Sequence, residues 1–199
     1  MICAIVLAAG CSSRMGRQKL LLPFGESTVI SHIVNQITNS KVTHTFVVVG
    51  HDAEQVTKEL SSKPVTIIHN PEYESGMLSS VRTGISNIPD EYDAVLIALG
   101  DQPSITTKLI DEIIQCFPAS KKKIIVPKYD NKRGHPILLS TSFKNEILTN
   151  FDDIGLRGIL REHESEIFEL VVPDQSVVSD MDYHEDYQRE IEKYENGKT

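Results

Sequence analysis

A loop of small and basic residues follows the first apolar run of the sequence and has the composition to bind a chain of phosphate groups. Gly10 and Gly16 reach backbone angles that other residues avoid, which lets main-chain N–H groups turn toward an anion. Ser12 adds a hydroxyl donor, and Arg14 and Lys19 supply positive charge. An ordinary βα turn with solvated basic residues has the same composition, so the loop alone leaves a triphosphate site and a plain turn as equal alternatives.

A carboxylate in the middle of the chain is a candidate metal ligand. Asp101 follows the apolar run Ala94–Leu99, and a strand there would place the carboxylate at the carboxyl edge of a sheet, facing the first loop. Mg²⁺ prefers oxygen ligands and takes one or two protein carboxylates together with phosphate oxygens. The alternative is that Asp101 caps a helix that begins near Ser104.

A second group of carboxylates lies near the end of the chain. Asp180 and Asp182 follow the strand-like run Ser176–Val178, and a continuing strand would point both side chains to one face. Either residue would then complete a metal site with Asp101. The equally weighted alternative is an acidic first turn that complements the dipole of the following helix.

A small basic cluster precedes a strand-like segment in the last third of the chain. It consists of Lys132, Arg133 and His135, and its charge suits an anionic acceptor. His135 is either a contact to the acceptor or a structural residue of the turn, and the sequence favours neither.

Strand-like and helical segments alternate along the chain and must position these residues. Successive apolar residues indicate strands that are buried on both faces, and strand–helix alternation predicts an α/β sandwich. The expected strands of the first part are Cys3–Leu7, Thr45–Val49, Val65–Ile68, Ala94–Ala98 and Ile124–Val126. The expected elements after residue 130 are a strand at Pro136–Leu139, helices near Ser142–Leu148 and Leu156–His163, a strand at Phe168–Val172 and a helix at Tyr183–Tyr194. We expect one domain over residues 1–199.

Composition narrows the class of protein. The net charge of −8 repels a polyanion, so we expect no nucleic-acid partner. The three cysteines do not form a paired framework, which indicates a reducing compartment. The first apolar run is too short for a membrane span or a signal peptide. We therefore expect a cytoplasmic protein without a membrane partner.

Several segments together resemble the MobA-like NTP transferases, and most closely their molybdenum cofactor cytidylyltransferase branch. The shared motifs are Leu7-Ala8-Ala9-Gly10-x-Ser12-x-Arg14-Met15-Gly16-x-x-Lys19, Asn70-Pro71-x-Tyr73-x-x-Gly76-Met77-x-x-Ser80-Val81-x-x-Gly84, Gly100-Asp101-Gln102-Pro103, Gly134-His135-Pro136 and the acidic segment from Asp180 to Tyr187. The resemblance spans nearly the whole chain. It implies a three-layer α/β sandwich with a mostly parallel, Rossmann-like sheet of the nucleotide-diphospho-sugar transferase type.

The resemblance also implies an activity and a set of site residues. The activity is Mg²⁺-dependent transfer of NMP, in this branch CMP from CTP, to a phosphorylated acceptor such as molybdopterin, with release of pyrophosphate. The implied catalytic residues are Arg14, Lys19 and Asp101, and the metal ligands are Asp101 and Asp182, with Asp180 as the alternative. The implied binding residues are Leu7, Ala8, Ala9, Gly10, Ser12, Arg14, Lys19, Ser80 and Asp101 for the nucleotide, and His135 and Arg157 for the acceptor.

Two other functions remain open at the level of sequence. One is a nucleotidyltransferase for a sugar or polyol phosphate, although the sugar-phosphate enzymes usually carry Gly-x-Gly-Thr-Arg where this chain has Gly10-Cys11-Ser12-Ser13-Arg14. The other is a non-catalytic nucleotide-binding protein that assists a molybdenum hydroxylase as its partner. No physical feature of the sequence separates CTP from another NTP.

Overall fold

A sheet of mostly parallel strands forms the centre of the computed structural model, which describes residues 1–12, 15–152 and 154–197. The strands are β1 (Ile2–Ala8), β2 (Pro23–Phe24), β3 (Ser27–Thr28), β4 (His44–Val49), β5 (Thr66–His69), β6 (Ala94–Leu99), β7 (Ile124–Tyr129), β8 (Lys132–Arg133), β9 (Ile137–Ser140) and β10 (Ile167–Val171). The helices are α1 (Val29–Thr38), α2 (Ala53–Glu59), α3 (Met77–Ser86), α4 (Thr107–Ser120), α5 (Lys144–Thr149), α6 (Arg157–Glu162) and α7 (His184–Asn196).

The strand order of the main sheet is β10-β7-β9-β6-β1-β4-β5, and β8 pairs with β7. Strand β1 runs parallel to both β4 and β6, whereas β9 is antiparallel to its neighbours β6 and β7. The chain moves from β1 outward to β5 and then crosses back to β6 on the other side of β1. In open α/β sheets, ligands bind outside the carboxyl ends of strands at such a reversal of strand order.

Two apolar cores cover the two faces of this sheet. Along β1, Ala4 and Val6 face the core formed with α1, α2 and α4, while Cys3 and Ile5 face the core formed with α3, α5 and α6. Side chains alternate between faces in a strand, so a strand covered by helices on both faces must be apolar at every position. The helix–sheet–helix layers confirm the predicted α/β fold with a mostly parallel sheet.

Most predicted elements overlap an observed one, but the segment before the late aspartates does not form the predicted strand. Residues Gln175–Val178 form a 3₁₀ turn. The Asp174 carboxylate accepts a hydrogen bond from the Ser176 N–H at 3.0 Å, and this local bond competes with extended structure. The premise that Asp180 and Asp182 lie on a continuing strand is therefore wrong.

A third, smaller cluster attaches the C-terminal part of the chain to the short β2–β3 hairpin. Phe24, Val29, Met181 and Tyr187 are buried together in this cluster. The Tyr187 hydroxyl donates to the main-chain oxygen of Pro23 at 2.7 Å. Burial of Met181 fixes the position of the residue that follows it, Asp182.

Within the described ranges, none of the helices combines the length and the apolar content that crossing a membrane requires.

Candidate active site

The carboxyl ends of β1 and β6 meet beside the first loop. The Gly100 N–H donates to the Leu7 carbonyl at 3.0 Å, which extends the pairing of the two strands by one residue. A Cβ atom at Gly100 would lie 2.9 Å from the same carbonyl oxygen, so the close approach requires glycine. The next residue, Asp101, thereby leaves the sheet beside the loop that follows β1.

Lys19 joins residues from three distant parts of the chain. Its ammonium forms an ion pair with the Asp101 carboxylate, donates to the Met181 carbonyl at 2.8 Å and lies 3.4 Å from Asp182 Oδ1. The Lys19 and Asp101 side chains are only 13% and 17% exposed, so their attraction is less screened than that of a surface pair. The structure thus brings together the first loop, the end of β6 and the segment before α7.

A cavity of about 450 Å³ opens at this meeting point. Of the residues predicted to contact a nucleotide or metal, it is lined by Leu7, Ala9, Gly10, Lys19, Ser80, Asp101 and Asp182. Ala8 is buried within β1. The Ser12 hydroxyl is used inside the loop, where it donates to Gln18 Oε1 at 2.9 Å and accepts from the Lys19 N–H. Neither residue lines the cavity, and Arg14 lies outside the described residues.

Asp101 does not cap the helix that follows it. Helix α4 begins at Thr107, and the Thr106 hydroxyl accepts the capping hydrogen bond from the Leu109 N–H. The Asp101 carboxylate instead faces the cavity. Asp186 makes the acidic first-turn contact in α7, where its carboxylate accepts from the N–H groups of Asp182 and Tyr183. The Asp182 carboxylate is therefore not needed for that contact.

The cavity has the donor set that a hard divalent cation requires. Asp101, Asp180 and Asp182 all line it, and Mg²⁺ is held by one or two carboxylates together with phosphate oxygens. Asp180 is exposed toward the cavity, yet desolvation by the surrounding protein and then the charge of Asp101 raise the pKa of its carboxyl. Three carboxylates around one ammonium leave an excess of negative charge, so the residues fit a cation at this position.

A second group of potential metal ligands lies away from this cavity. Glu146, Glu162 and His163 place ligand atoms within 4.8 Å of one another. His163 Nε2 is 2.8 Å from Glu146 Oε1, and this contact holds the residue that follows α6 against α5. None of the three residues lines the cavity beside Lys19.

A larger cavity of about 800 Å³ adjoins the first one, and Met77, Leu99 and Asp180 line both. Its wall is mainly apolar and includes Leu156, Ile154 and other residues of the segment around α6. Predominantly apolar walls with a few polar groups are typical of small-molecule sites of this size. The two cavities can therefore hold two substrates with their reactive groups meeting near Asp180.

His135 lines the larger cavity as a neutral imidazole. Burial lowers the pKa of the His135 side chain to about 4, an effect that Asp101 opposes and Arg157 reinforces. Gly134 precedes it at a very close backbone contact, since a Cβ there would lie 2.0 Å from the Val177 carbonyl oxygen. The His135 N–H donates to the same oxygen at 2.8 Å. His135 can hydrogen-bond an acceptor at neutral pH but does not contribute positive charge.

Arg133, another member of the predicted basic cluster, forms ion pairs with two carboxylates. Its guanidinium donates to Glu164 Oε2 at 2.9 Å and to Glu169 Oε1 at 2.8 Å. These hydrogen bonds raise the pKa of Arg133 and hold its charge against two carboxylates. Arg133 also lines the larger cavity, so its contact with an acceptor stays a prediction, with a charge that two carboxylates already offset.

The uncompensated arginines of the larger cavity lie on α6. Arg157 and Arg161 are four residues apart, which places them on one face of the helix, and both line the cavity. Among the described residues, neither has an acidic partner within ion-pair distance. Arg157 is among the residues predicted from the sequence and Arg161 is not, although its spacing of four residues from Arg157 on a predicted helix was the available signal.

Two residues at the boundary of the cavities were not predicted from the sequence to have a role. Met77 is 54% exposed and begins α3 between the two cavities. Gln102 is 2% exposed, and its amide donates to Asp180 Oδ1 at 2.9 Å. Both residues belong to the motifs that resemble the family, but side-chain type alone does not reveal these positions.

This fold and this site define a nucleotidyltransferase. A glycine-containing loop, a partly buried lysine and converging carboxylates lie at the reversal point of an α/β sheet. The chain belongs to the MobA-like NTP transferase family, whose sequence model matches residues 4–167.

Two proteins that are similar to this chain carry names of different activities. The chain is 25% identical to the molybdenum cofactor cytidylyltransferase of Escherichia coli K12, over 96% of this chain and 95% of that protein. It is also 25% identical to the nicotine blue oxidoreductase of Paenarthrobacter nicotinovorans, over 91% and 92% of the two chains. Identity at this level does not choose between the two activities.

A solved structure supports the fold assignment. The crystal structure of Rv0371c from Mycobacterium tuberculosis H37Rv superimposes with a TM-score of 0.82, at 27% identity, over 96% of this chain and 98% of that chain. A complex of the same mycobacterial protein with manganese is also similar, with a TM-score of 0.77 at 24% identity over 96% and 98% of the two chains.

Proposed function

We propose that the protein transfers NMP from an NTP, with CTP as the expected donor, to the phosphate of a small-molecule acceptor, with molybdopterin as the expected acceptor. The single observation that carries this proposal is the contact of Lys19 with Asp101 and Asp182 in one cavity. Nucleotidyl transfer calls for a lysine and carboxylates grouped in this way, because the negative charge of the reacting phosphates must be offset during the reaction.

The smaller cavity receives the nucleotide in this proposal. Ala9 and Gly10 offer main-chain groups beside the base, and Ser80 offers a hydroxyl. Lys19 stabilises the phosphates that leave as pyrophosphate, as Arg14 is expected to do from its place in the loop. A Mg²⁺ ion held by Asp101 and Asp182, with Asp180 as the alternative ligand, would offset the charge on the α-phosphate.

The larger cavity receives the acceptor. The phosphate oxygen of the acceptor attacks the α-phosphorus, the bond to the β-phosphate oxygen breaks, and pyrophosphate leaves. An ionised phosphate is already a nucleophile, so no residue has to remove a proton. Arg157 supplies the positive charge that orients the acceptor phosphate, and His135 supplies a neutral hydrogen-bonding group. Catalysis is then positioning together with charge neutralisation.

Pyrophosphate release by charge-removing variants tests these assignments. Lys19→Ala and Asp101→Ala should each lower the rate by about 10²–10³, because each removes a charge contact to the reacting phosphates. Lys108→Ala is a matched control, because the Lys108 side chain is 88% exposed on α4. Near-normal turnover in either of the first two variants, with the control unchanged, would refute the roles of Lys19 or Asp101.

A panel of substrates separates the proposed function from its alternatives. Each of the four NTPs is incubated with Mg²⁺ and either molybdopterin, a sugar phosphate or a polyol phosphate. Release with CTP and molybdopterin supports the proposal, and release only with a sugar or polyol phosphate identifies the other transferase. Nucleotide binding without release from any pair indicates an accessory protein, for which a molybdenum hydroxylase is the expected partner.

A further inference from the structure

Asn70 is a buried polar residue beside the smaller cavity. It follows β5 directly and is 1% exposed. Its side-chain oxygen accepts a hydrogen bond from the Glu72 N–H at 3.0 Å. Its side-chain nitrogen lies 2.9 Å from the Ser79 hydroxyl and 3.0 Å from the Ser80 hydroxyl. Both amide hydrogens and one lone pair of the amide oxygen are thus occupied within one short segment that packs against the start of α3.

The Glu72 contact fixes the orientation of the Asn70 amide. A main-chain N–H can only donate, so the group that faces it must be the amide oxygen. The amide nitrogen therefore faces the two serines, and its two hydrogens are donated to their hydroxyl oxygens. Each serine hydroxyl accepts from Asn70 and must direct its own hydrogen elsewhere.

The two serines differ in where that hydrogen can go. The Ser79 hydroxyl lies 2.8 Å from the Gly76 carbonyl and 2.9 Å from the Glu72 carbonyl, so its hydrogen is donated to the main chain. The Ser80 hydroxyl has no acceptor of this kind among the described residues. Ser80 is 4% exposed and lines the smaller cavity, so the cavity is the direction that remains for its hydrogen.

We propose that Asn70 is a positioning residue that makes the Ser80 hydroxyl an obligate hydrogen-bond donor to the nucleobase. The inference rests on the proposed function, because it takes the occupant of the cavity to be a nucleotide. The base atom that meets Ser80 must then be an acceptor, a ring nitrogen without hydrogen or a carbonyl oxygen. Asn70 contributes without touching the ligand, by excluding the opposite orientation of the hydroxyl.

Reversing the polarity of Asn70 tests this arrangement. In Asn70→Asp, the carboxylate accepts from the Glu72 N–H and from both serine hydroxyls, so the Ser80 hydrogen turns away from the cavity. CTP binding, measured by calorimetry with Mg²⁺ and without acceptor, should weaken by about fivefold to tenfold, the effect of one lost hydrogen bond. Ser80→Ala should weaken binding equally, and combining the two substitutions should add little further loss.

Two controls separate positioning from a structural effect. Ser79→Ala removes the other serine that accepts a hydrogen bond from Asn70. The Ser79 hydroxyl donates its own hydrogen to the main chain and not to the cavity, so this variant should leave CTP binding unchanged. Inorganic tripolyphosphate lacks a base, so its binding should be the same in the wild type, Ser80→Ala and Asn70→Asp. If Asn70→Asp does not fold, Asn70→Leu removes both donated hydrogens, and its effect should again vanish in the Ser80→Ala background.

The outcomes distinguish this inference from the proposed function. Unchanged CTP affinity in the Asn70 variants, while Ser80→Ala weakens it, would overturn the role of Asn70. Equal weakening of tripolyphosphate and CTP would also overturn it, because the effect would then be structural. A wild-type protein that binds tripolyphosphate but no NTP would refute the proposed function, and the inference with it.

Discussion

The neutral state of His135 predicts a specific loss of stability in mild acid. Its pKa is about 4 in the folded protein against an ordinary value of 6.5, so between these values the unfolded chain binds more protons. The stability that His135 contributes is therefore fully present above pH 6.5 and is lost as the pH falls through the folded-state pKa. At about 1.36 kcal/mol for each pH unit, the loss amounts to about 3 kcal/mol.

Chemical denaturation of the wild type and of His135→Gln between pH 7.5 and roughly pH 4 measures this loss. The difference between the two free energies of unfolding isolates His135 from the carboxylates that also titrate in this range. We expect that difference to change by about 3 kcal/mol. His69→Gln, at an exposed position on β5, should keep the wild-type dependence. A parallel pH dependence in wild type and His135→Gln, with the His135 imidazole titrating near its ordinary value by NMR, would refute the reasoning.

Two further predictions follow from packing and charge. Gly134→Ala should lower the free energy of unfolding by about 3 kcal/mol or more, because the added Cβ would lie 2.0 Å from a main-chain oxygen. Gly10→Ala should not lower it in this way, because no heavy atom lies within 4 Å of a Cβ at Gly10. Equal melting temperatures of the two variants would contradict the close contact at Gly134. Arg157→Ala should raise the KM for the acceptor about tenfold or more and leave the KM for the NTP unchanged, because a charged hydrogen bond to the acceptor phosphate is lost. Arg133→Ala should lower stability without raising the acceptor KM, because its guanidinium is held by carboxylates; a raised acceptor KM in Arg133→Ala alone would reverse the two assignments.

The parts of the fold that the sequence predicted are those governed by burial on two faces. The apolar runs that became β1, β4 and β6 have nearly every side chain buried, and few other structures require such a pattern. The contact of Lys19 with Asp101 was predictable from the order of these strands. Both residues follow strands that end at the same edge of the sheet, so the topology brings them together.

The parts that the sequence did not predict depend on local or distant partners that a pattern does not contain. The turn at Gln175–Val178 begins with a hydrogen bond from the Ser176 N–H to the Asp174 carboxylate, and this bond competes with the strand that the valines of the segment favour. The Arg133 guanidinium is bonded to two carboxylates that lie 31 and 36 residues away in the sequence. The strands β2, β3 and β8 are two residues long, too short for an alternating pattern to be visible.

A crystal structure of the protein with CTP and Mg²⁺ is the most direct test of the central claim that one cleft joins the first loop to the late carboxylates. We expect the triphosphate in the smaller cavity, with Lys19 on its phosphates and the metal between the α-phosphate and the carboxylates of Asp101 and Asp182. A nucleotide bound elsewhere, or bound there with the metal held by other residues, would contradict the account.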